Sequence, residues 1–384
     1  MISNIYNNNN IHFRAWSCQR RDGIDIVRRA KLSNKNYSEL LPRPRNIYVQ
    51  VPFGRRLNYI GDLIRVFTPI YNLALQTFPQ STLHLYAGNS FSEGKYMMQD
   101  AIMYHTLFKL IGNSSGYERT VPDPLNGDLI FGRDLRSGLL IDVIMNGERG
   151  QLVHSALDTE LQYGVGLNHW KKFLRQYTIN SSQEIRPNIW PAAQEVDNAS
   201  DIFQSLNLNT RGRNIAFNLG GGGIAYDFER RWPVEKFVDL AKQLLEADKE
   251  AKIVILWGPK ESALKDEYEK RAKTVITNPQ ISERVRYPER VLTVGELFEV
   301  FKKVDLVVTS DTGPAHIACT AAYYADHLKV SVLVHPKISI QHWYSGYNRE
   351  QIIAIESPGF HIEDIDPDKV LRACLSARDG SAFG

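Results

Sequence analysis

Three short stretches in the second half of this 384-residue chain combine residue types that can hold an anion. The first is Gly220-Gly221-Gly222-Gly223, followed by Glu229-Arg230-Arg231-Trp232-Pro233. Glycines let a backbone approach a bulky ligand closely and leave its N–H groups available, so Gly221 and Gly222 suit a phosphate. Arg230 and Arg231 add cationic forks just ahead of a helix. A flexible loop with solvated arginines would read the same way. The second stretch is Trp257-Gly258-Pro259-Lys260-Glu261. Glu261 fits an acceptor for ribose hydroxyls, and equally a carboxylate that favours the dipole of a starting helix. The third is Ser310-Asp311-Thr312-Gly313-Pro314-Ala315-His316. Here the N–H groups of Thr312 and Gly313 would face an anion at a helix start. Asp311 reads as a ligand contact or as an N-cap, and His316 as a site residue or a plain helix-face histidine.

All three stretches follow apolar runs, and in open α/β sheets ligands bind at the carboxyl ends of strands. The sequence predicts strands over 214–219, 252–258, 305–310, 330–335 and 351–357. Between them, apolar residues at helical spacing predict helices over 233–247, 261–273, 294–303 and 313–325, with a last one over 366–375. This alternation predicts a doubly wound domain over 213–384. Upstream, 47–53 and 81–88 read as strands flanking a helix over 62–79, a βαβ unit, with a further strand over 139–145. An N-terminal Rossmann-like domain on the acceptor side is therefore expected over 46–178. Residues 179–212 lose periodicity, gain Asn, Ser, Gln and Pro, and read as a linker.

Composition excludes several classes. Apolar residues make up 43% and charged residues 23%, which suits a globular chain and not a disordered one. A net charge of +3 argues against a nucleic-acid binder. No run is long and apolar enough to predict a membrane span, the first residues lack the pattern of a signal peptide, and a cytoplasmic location is expected. Three scattered cysteines support neither a disulfide frame nor a zinc site. There is no Walker loop, HExxH or GxSxG. Gly220, Gly222 and Ala225 fit G-x-G-x-x-A, but this loop does not open directly into a helix, so a dinucleotide fingerprint is set aside. Residues 1–45 stand apart, with nine basic side chains against three acidic ones. They read as a solvated basic arm or, over 14–45, as a patch for an anionic acceptor or for peripheral contact with anionic lipid at the inner face of a bacterial inner membrane.

RRWPVEKFVDLAKQL, WGPKE and SDTGPAHIA, in this order, resemble glycosyltransferase family 9, the heptosyltransferases of lipopolysaccharide core assembly. Gly61-Asp62, opening a helix after the first strand, looks like that family's N-terminal Gly-Asp motif. The resemblance implies an α/β GT-B fold, two Rossmann-like doubly wound domains facing a central cleft. It implies an inverting, metal-independent enzyme with no cofactor, taking a nucleotide-diphospho-sugar as co-substrate, with ADP-heptose as the leading candidate. By the same resemblance Asp62 is the general base, where a helix N-cap is the other reading. Arg230 stands where the family has a phosphate-contacting lysine. Thr312 and Gly313 would hold the diphosphate, Glu261 would face the nucleoside, and Asp311 the donor sugar or its pocket.

The chain departs from the family on the acceptor side. The loop between Phe53 and Gly61 is long and carries Arg55 and Arg56, and the basic N-terminal segment is unusual. The acceptor is therefore left open among a lipopolysaccharide core or other glycan, a glycolipid, a protein and a small molecule. The four-cysteine iron motif of some autotransporter heptosyltransferases is absent. Two rivals stand beside the transferase: a nucleotide-sugar epimerase on the same architecture, and a catalytically silent binding protein that keeps the fold.

Overall fold

The computed structural model describes 187–208, 212–220, 230–336, 347 and 349–376, together with Gly61 and Ile64. Of the N-terminal half it otherwise describes eight strands as backbone, within 14–21, 24–31, 46–51, 82–87, 114–118, 129–134, 138–145 and 148–153. The chain divides into two compact units. The first takes in Met1–Asn58, Pro69–Asp100 and Leu110–Ile185. The second takes in Tyr59–Thr68, Ala101–Lys109 and Arg186–Gly384.

The first unit holds β1 (Arg14–Arg21), β2 (Ile24–Lys31), β3 (Asn46–Val51), β4 (Thr82–Ala87), β5 (Ser114–Glu118), β6 (Leu129–Asp134), β7 (Gly138–Met145) and β8 (Glu148–Val153). Their order in one sheet is β2-β1-β8-β7-β6-β3-β4-β5. The parallel core expected around β3 and β4 is present, with β5 and β6 flanking it in parallel. From β6 outward the sheet is an antiparallel meander, so half of this sheet is not doubly wound. Short connections account for it: three residues separate β6 from β7 and two separate β7 from β8, too few for a parallel crossover. The basic segment contributes a hairpin, β1 with β2, where the sequence predicted no element.

The second unit holds β9 (Asn214–Asn218), β10 (Lys252–Leu256), β11 (Val285–Arg286), β12 (Leu306–Ser310), β13 (Lys329–Val334) and β14 (Ile352–Glu356). All pair in parallel, in the order β11-β10-β9-β12-β13-β14. This is the Rossmann order, in which the chain winds outward first to one side of β9 and then to the other. β9 and β12 are buried at every position, which explains the apolar residues in succession at Ile215–Phe217 and Leu306–Val308. The helices are α1 (Ala193–Ser205), α2 (Val234–Ala247), α3 (Ser262–Val275), α4 (Pro279–Ser282), α5 (Val294–Lys303), α6 (Gly313–Ala321) and α7 (Pro367–Ser376). The five helices predicted for this half match α2, α3, α5, α6 and α7; α1 lies in the stretch that read as linker.

An apolar core forms where α2 and α7 cover the sheet of the second unit. Phe217 of β9 meets Phe237 of α2, and Trp232 packs edge-on against Phe237 with ring centroids 4.9 Å apart. Trp232 is fully buried, and its indole N–H donates to the Ile365 carbonyl at 3.0 Å. Burying a ring of this size contributes several kcal/mol only if that polar edge finds a partner, and here it does. The same tryptophan anchors the chain immediately after the Arg230-Arg231 pair.

On the other side α1 is fixed to α5. Thr293 caps α5, and its hydroxyl donates to Glu195 Oε1 at 2.6 Å. Glu296 accepts from Asn198 of α1 at 2.8 Å and from both terminal nitrogens of Arg290 at 2.7 Å. Its carboxyl is buried, which alone would push its pKa up. The Arg290 fork, the Thr293 N–H and the Asn198 amide outweigh that and hold it below the usual glutamate range.

Candidate active site

The order of strands in the second unit reverses between β9 and β12, and the carboxyl ends of these two strands form the crevice where a Rossmann sheet takes its ligand. Gly220 follows β9, and Asp311-Thr312-Gly313 follows β12, so both stretches singled out by composition stand at that point. Glu261 stands after β10, the strand on the far side of β9.

These loops are interlocked. The Gly220 carbonyl accepts from the Asn218 side-chain amide at 3.1 Å, and Thr312 Oγ1 lies 3.5 Å from the same oxygen. Glu261 is buried, and its Oε2 accepts from the Gly258 N–H at 2.7 Å. A Cβ added to Gly220 would lie 1.5 Å from that same Oε2, so only glycine fits here. Glu261 occupies the position before the first turn of α3, without capping it through its side chain. Its carboxylate is thus bonded within its own loop and fills the space beside Gly220 of the loop after β9.

Arg230 is not a solvated arginine. Its Nη2 donates to the Asp311 carbonyl at 2.7 Å and to Asp311 Oδ2 at 2.8 Å. The aspartate side chain is fully buried and that of Arg230 is 39% exposed. The Arg230 Nε is buried with no hydrogen-bond partner among the described residues. Asp311 is therefore no helix cap. Thr312 holds that position in α6, and it makes no side-chain cap bond. The positive end of the α6 dipole thus lies at Thr312-Gly313, directly after the Arg230-Asp311 pair. The negative charge of Asp311 extends into the helix: burial first, and then this carboxylate, push the Cys319 thiol well up.

His316, on α6, is buried, and its Nδ1 lies 3.1 Å from the Tyr347 hydroxyl. Gly61, which belongs to the second unit, packs directly on this ring; a Cβ there would come within 2.4 Å of His316 Cδ2. The glycine that precedes Asp62 in the expected Gly-Asp motif is thereby placed against His316. Asp62 itself, Arg55, Arg56, Gly221 and Gly222 lie outside the described residues. Arg231 is described as partly buried beside Trp232.

Three residues that join these loops were not singled out by the sequence. Asn218 ends an apolar strand and holds the Gly220 carbonyl. Ser310 accepts the Trp232 backbone N–H at 3.3 Å and so ties the arginine loop to β12. Tyr347 reaches His316 across 31 residues of sequence. Only Asn218, a polar residue at the end of a fully buried strand, could have been noticed by inspection.

Residues 183–322 match the family model of glycosyltransferase family 9 (heptosyltransferase). Residues 183–322 thus form a glycosyltransferase family 9 domain, and the activity this domain supports is that of a glycosyltransferase. The matched segment runs from α1 to the end of α6 and contains Gly220, Arg230, Glu261, Asp311 and His316. The fold is GT-B, like that of solved members of the family. A glycosyl transferase family 9 structure from Veillonella parvula superposes with a TM-score of 0.58 at 15% identity, over 88% of this chain and 98% of that one. E. coli ADP-heptose lps heptosyltransferase II gives 0.51 at 16% identity, over 88% of this chain and all of the other. No curated protein matches the sequence. No helix among the described residues is long and apolar enough to cross a membrane, and none of their side chains cluster as a metal site.

Proposed function

We propose that this family 9 domain transfers a heptose, with inversion and without a metal, from ADP-heptose to a hydroxyl acceptor. The observation that carries the reading is the meeting of Gly220, Arg230 and the Asp311-Gly313 turn at the switch point of a Rossmann sheet, with Glu261 bonded into the adjoining loop. A nucleoside diphosphate needs what this arrangement offers. Its phosphates meet a guanidinium and uncapped helix N–H groups, and its ribose meets a buried carboxylate. In this reading the chemistry follows from charge placement. The leaving diphosphate gains negative charge as the glycosidic bond breaks, and Arg230 with the start of α6 supplies the compensation that a divalent cation would otherwise give. Asp62, next to the glycine packed on His316, would take the proton of the acceptor hydroxyl. Heptosyltransferase II from E. coli, one of the structures of similar fold, acts on lipopolysaccharide, and a glycan or glycolipid acceptor is the natural extension to this chain. For the basic N-terminal segment we assign an anionic acceptor or membrane surface. Support comes from the hairpin register, which sets Arg14 opposite Lys31 and Trp16 opposite Arg29 at the edge of the sheet.

The test is transfer itself. Purified protein is incubated with ADP-heptose and truncated lipopolysaccharide core, with and without EDTA, and product is read by mass spectrometry. Transfer that persists in EDTA, and falls by roughly 10²–10⁴ in Asp62→Asn with ADP affinity retained, is the expected result. Conversion of the donor without acceptor would replace the transferase by an epimerase.

A further inference from the structure

Two aromatic side chains stand at the carboxyl edge of the same sheet, beyond Glu261. Trp257 directly follows β10, and Tyr287 directly follows β11, its parallel neighbour. Ile253 pairs with Val285, and Trp257 and Tyr287 lie an even number of residues further on, so both turn to the face that α3 covers. Lys265 of α3 meets both rings. Its Nζ lies 5.9 Å from the Trp257 ring centre and 5.8 Å from that of Tyr287, the outer range of a cation–π contact. Tyr268, fully buried, packs edge-on against Tyr287 with centroids 6.2 Å apart. Its hydroxyl is buried with no hydrogen-bond partner among the described residues, so the pair keeps unused polar capacity. Trp257 and Tyr287 themselves stay partly exposed. We propose that Trp257 and Tyr287 form a stacking recess for the base of the nucleotide and select a purine over a pyrimidine. The proposal rests on the transferase reading only in taking a nucleoside diphosphate as the ligand.

Strand order serves as the ruler. Along the carboxyl edge, Asp311-Gly313 follows β12, Gly220 follows β9, Trp257 and Glu261 follow β10, and Tyr287 follows β11. Neighbouring strands are ~4.8 Å apart, so the crevice between β12 and β9 lies about 10 Å from the gap between β10 and β11. A nucleoside diphosphate spans that distance. With its phosphates at the crevice, its ribose passes Glu261 and its base arrives at the two rings. Stacking follows ring area, and the two fused rings of a purine cover more of Trp257 and Tyr287 than a single pyrimidine ring can. Lys265 does not bar the way. Its ion pair with Glu269, at 2.7 Å, lies on its own helix, so a base that covers the rings displaces only a weak contact.

The experiment measures ADP, UDP and inorganic pyrophosphate binding by titration calorimetry in wild type, Trp257→Leu and Tyr287→Leu, with thermal melts as the check on folding. Wild type is expected to bind ADP at least about fivefold more tightly than UDP. Each leucine variant should lose about tenfold or more in ADP affinity, the usual share of one base stacked on one aromatic ring. Pyrophosphate has no base, so its affinity should stay within about twofold in both variants. Trp257→Phe and Tyr287→Phe keep a ring and should remain within about threefold of wild type for ADP. A reading that needs no variant is photolabelling of the wild-type protein with azido-substituted ADP, which should attach at Trp257 or Tyr287. Equal affinity for ADP and UDP, or no ADP binding by wild type, would overturn the proposal. So would unchanged ADP affinity in the folded leucine variants, or a parallel loss of pyrophosphate, which would mean a general collapse of the site. If the leucine variants do not fold, labelling that maps away from both residues overturns it as well. Absence of sugar transfer with these binding differences intact would instead remove the transferase reading and leave this inference standing.

Discussion

Replacing Gly220 by alanine tests whether the loops after β9 and β10 are read as one device. The added Cβ would lie 1.5 Å from Glu261 Oε2 and 2.1 Å from its carboxyl carbon, far inside an ordinary contact of 3.4–4 Å. Glu261 must then swing away, and it cannot do so without giving up the 2.7 Å bond from the Gly258 N–H. Losing a hydrogen bond to a charged acceptor costs about 1.5–3 kcal/mol, and a displaced rotamer adds about 0.5–1.5 kcal/mol. The sum, about 2–4 kcal/mol, corresponds to a fall in melting temperature of roughly 5–15 °C for a unit of this size. Calorimetric melting gives the stability, and titration with ADP is expected to show at least a tenfold loss of affinity. The decisive control is Glu261→Ala. Once the carboxylate is gone the alanine at 220 has room, so Gly220→Ala should cost less than ~0.5 kcal/mol in that background. A single variant as stable as wild type, or equal losses in both backgrounds, would refute the idea that the glycine exists to admit the carboxylate.

Other outcomes follow from the same geometry. The Glu296 carboxyl is held below its unfolded value of 4.5, so its contribution is complete above that pH and is lost as pH falls through the lower folded value. Chemical denaturation from about pH 7 to about pH 3 should show this loss, and Glu296→Gln should flatten it while costing about 1.5–3 kcal/mol near neutrality. Trp232→Phe removes the indole N–H from the Ile365 carbonyl, and a stability loss of about 1–3 kcal/mol is expected from urea unfolding. Gly61→Ala must displace the His316 ring, and we expect it to reduce sugar transfer at least tenfold while leaving far-ultraviolet circular dichroism unchanged.

The second unit was legible because its strands are buried on both faces and its helices keep an apolar stripe. α1 was not. It turns Glu195, Ala199 and Phe203 inward at helical spacing, but the first of these is a glutamate, and Gln194, Asp197, Asn198 and Asp201 mask the rest. The buried glutamate makes sense only with Thr293, 98 residues away, already in place. The β1-β2 hairpin was hidden for a related reason, since arginines interrupt its alternation. Residue types singled out loops that the fold brings to neighbouring strand ends, but not the pairing within them. Arg230 and Asp311 each read as a contact for a ligand. Their bond joins loops 81 residues apart, and nothing local in the sequence announces it.

The fit of Gly220 against Glu261 limits how this protein could be diversified. The loops after β9 and β10 look like separate cassettes, each following its own strand and open to replacement from a relative. They are not independent parts. A segment brought in after β9 that lacks glycine at position 220 would evict the carboxylate supplied by the segment after β10. A segment brought in after β10 with a shorter acid would leave the Gly258 amide and the space beside Gly220 unfilled. Chimeras that exchange residues 219–231 and 257–262 together should therefore survive where single exchanges fail. In natural descent these two stretches are expected to change in step.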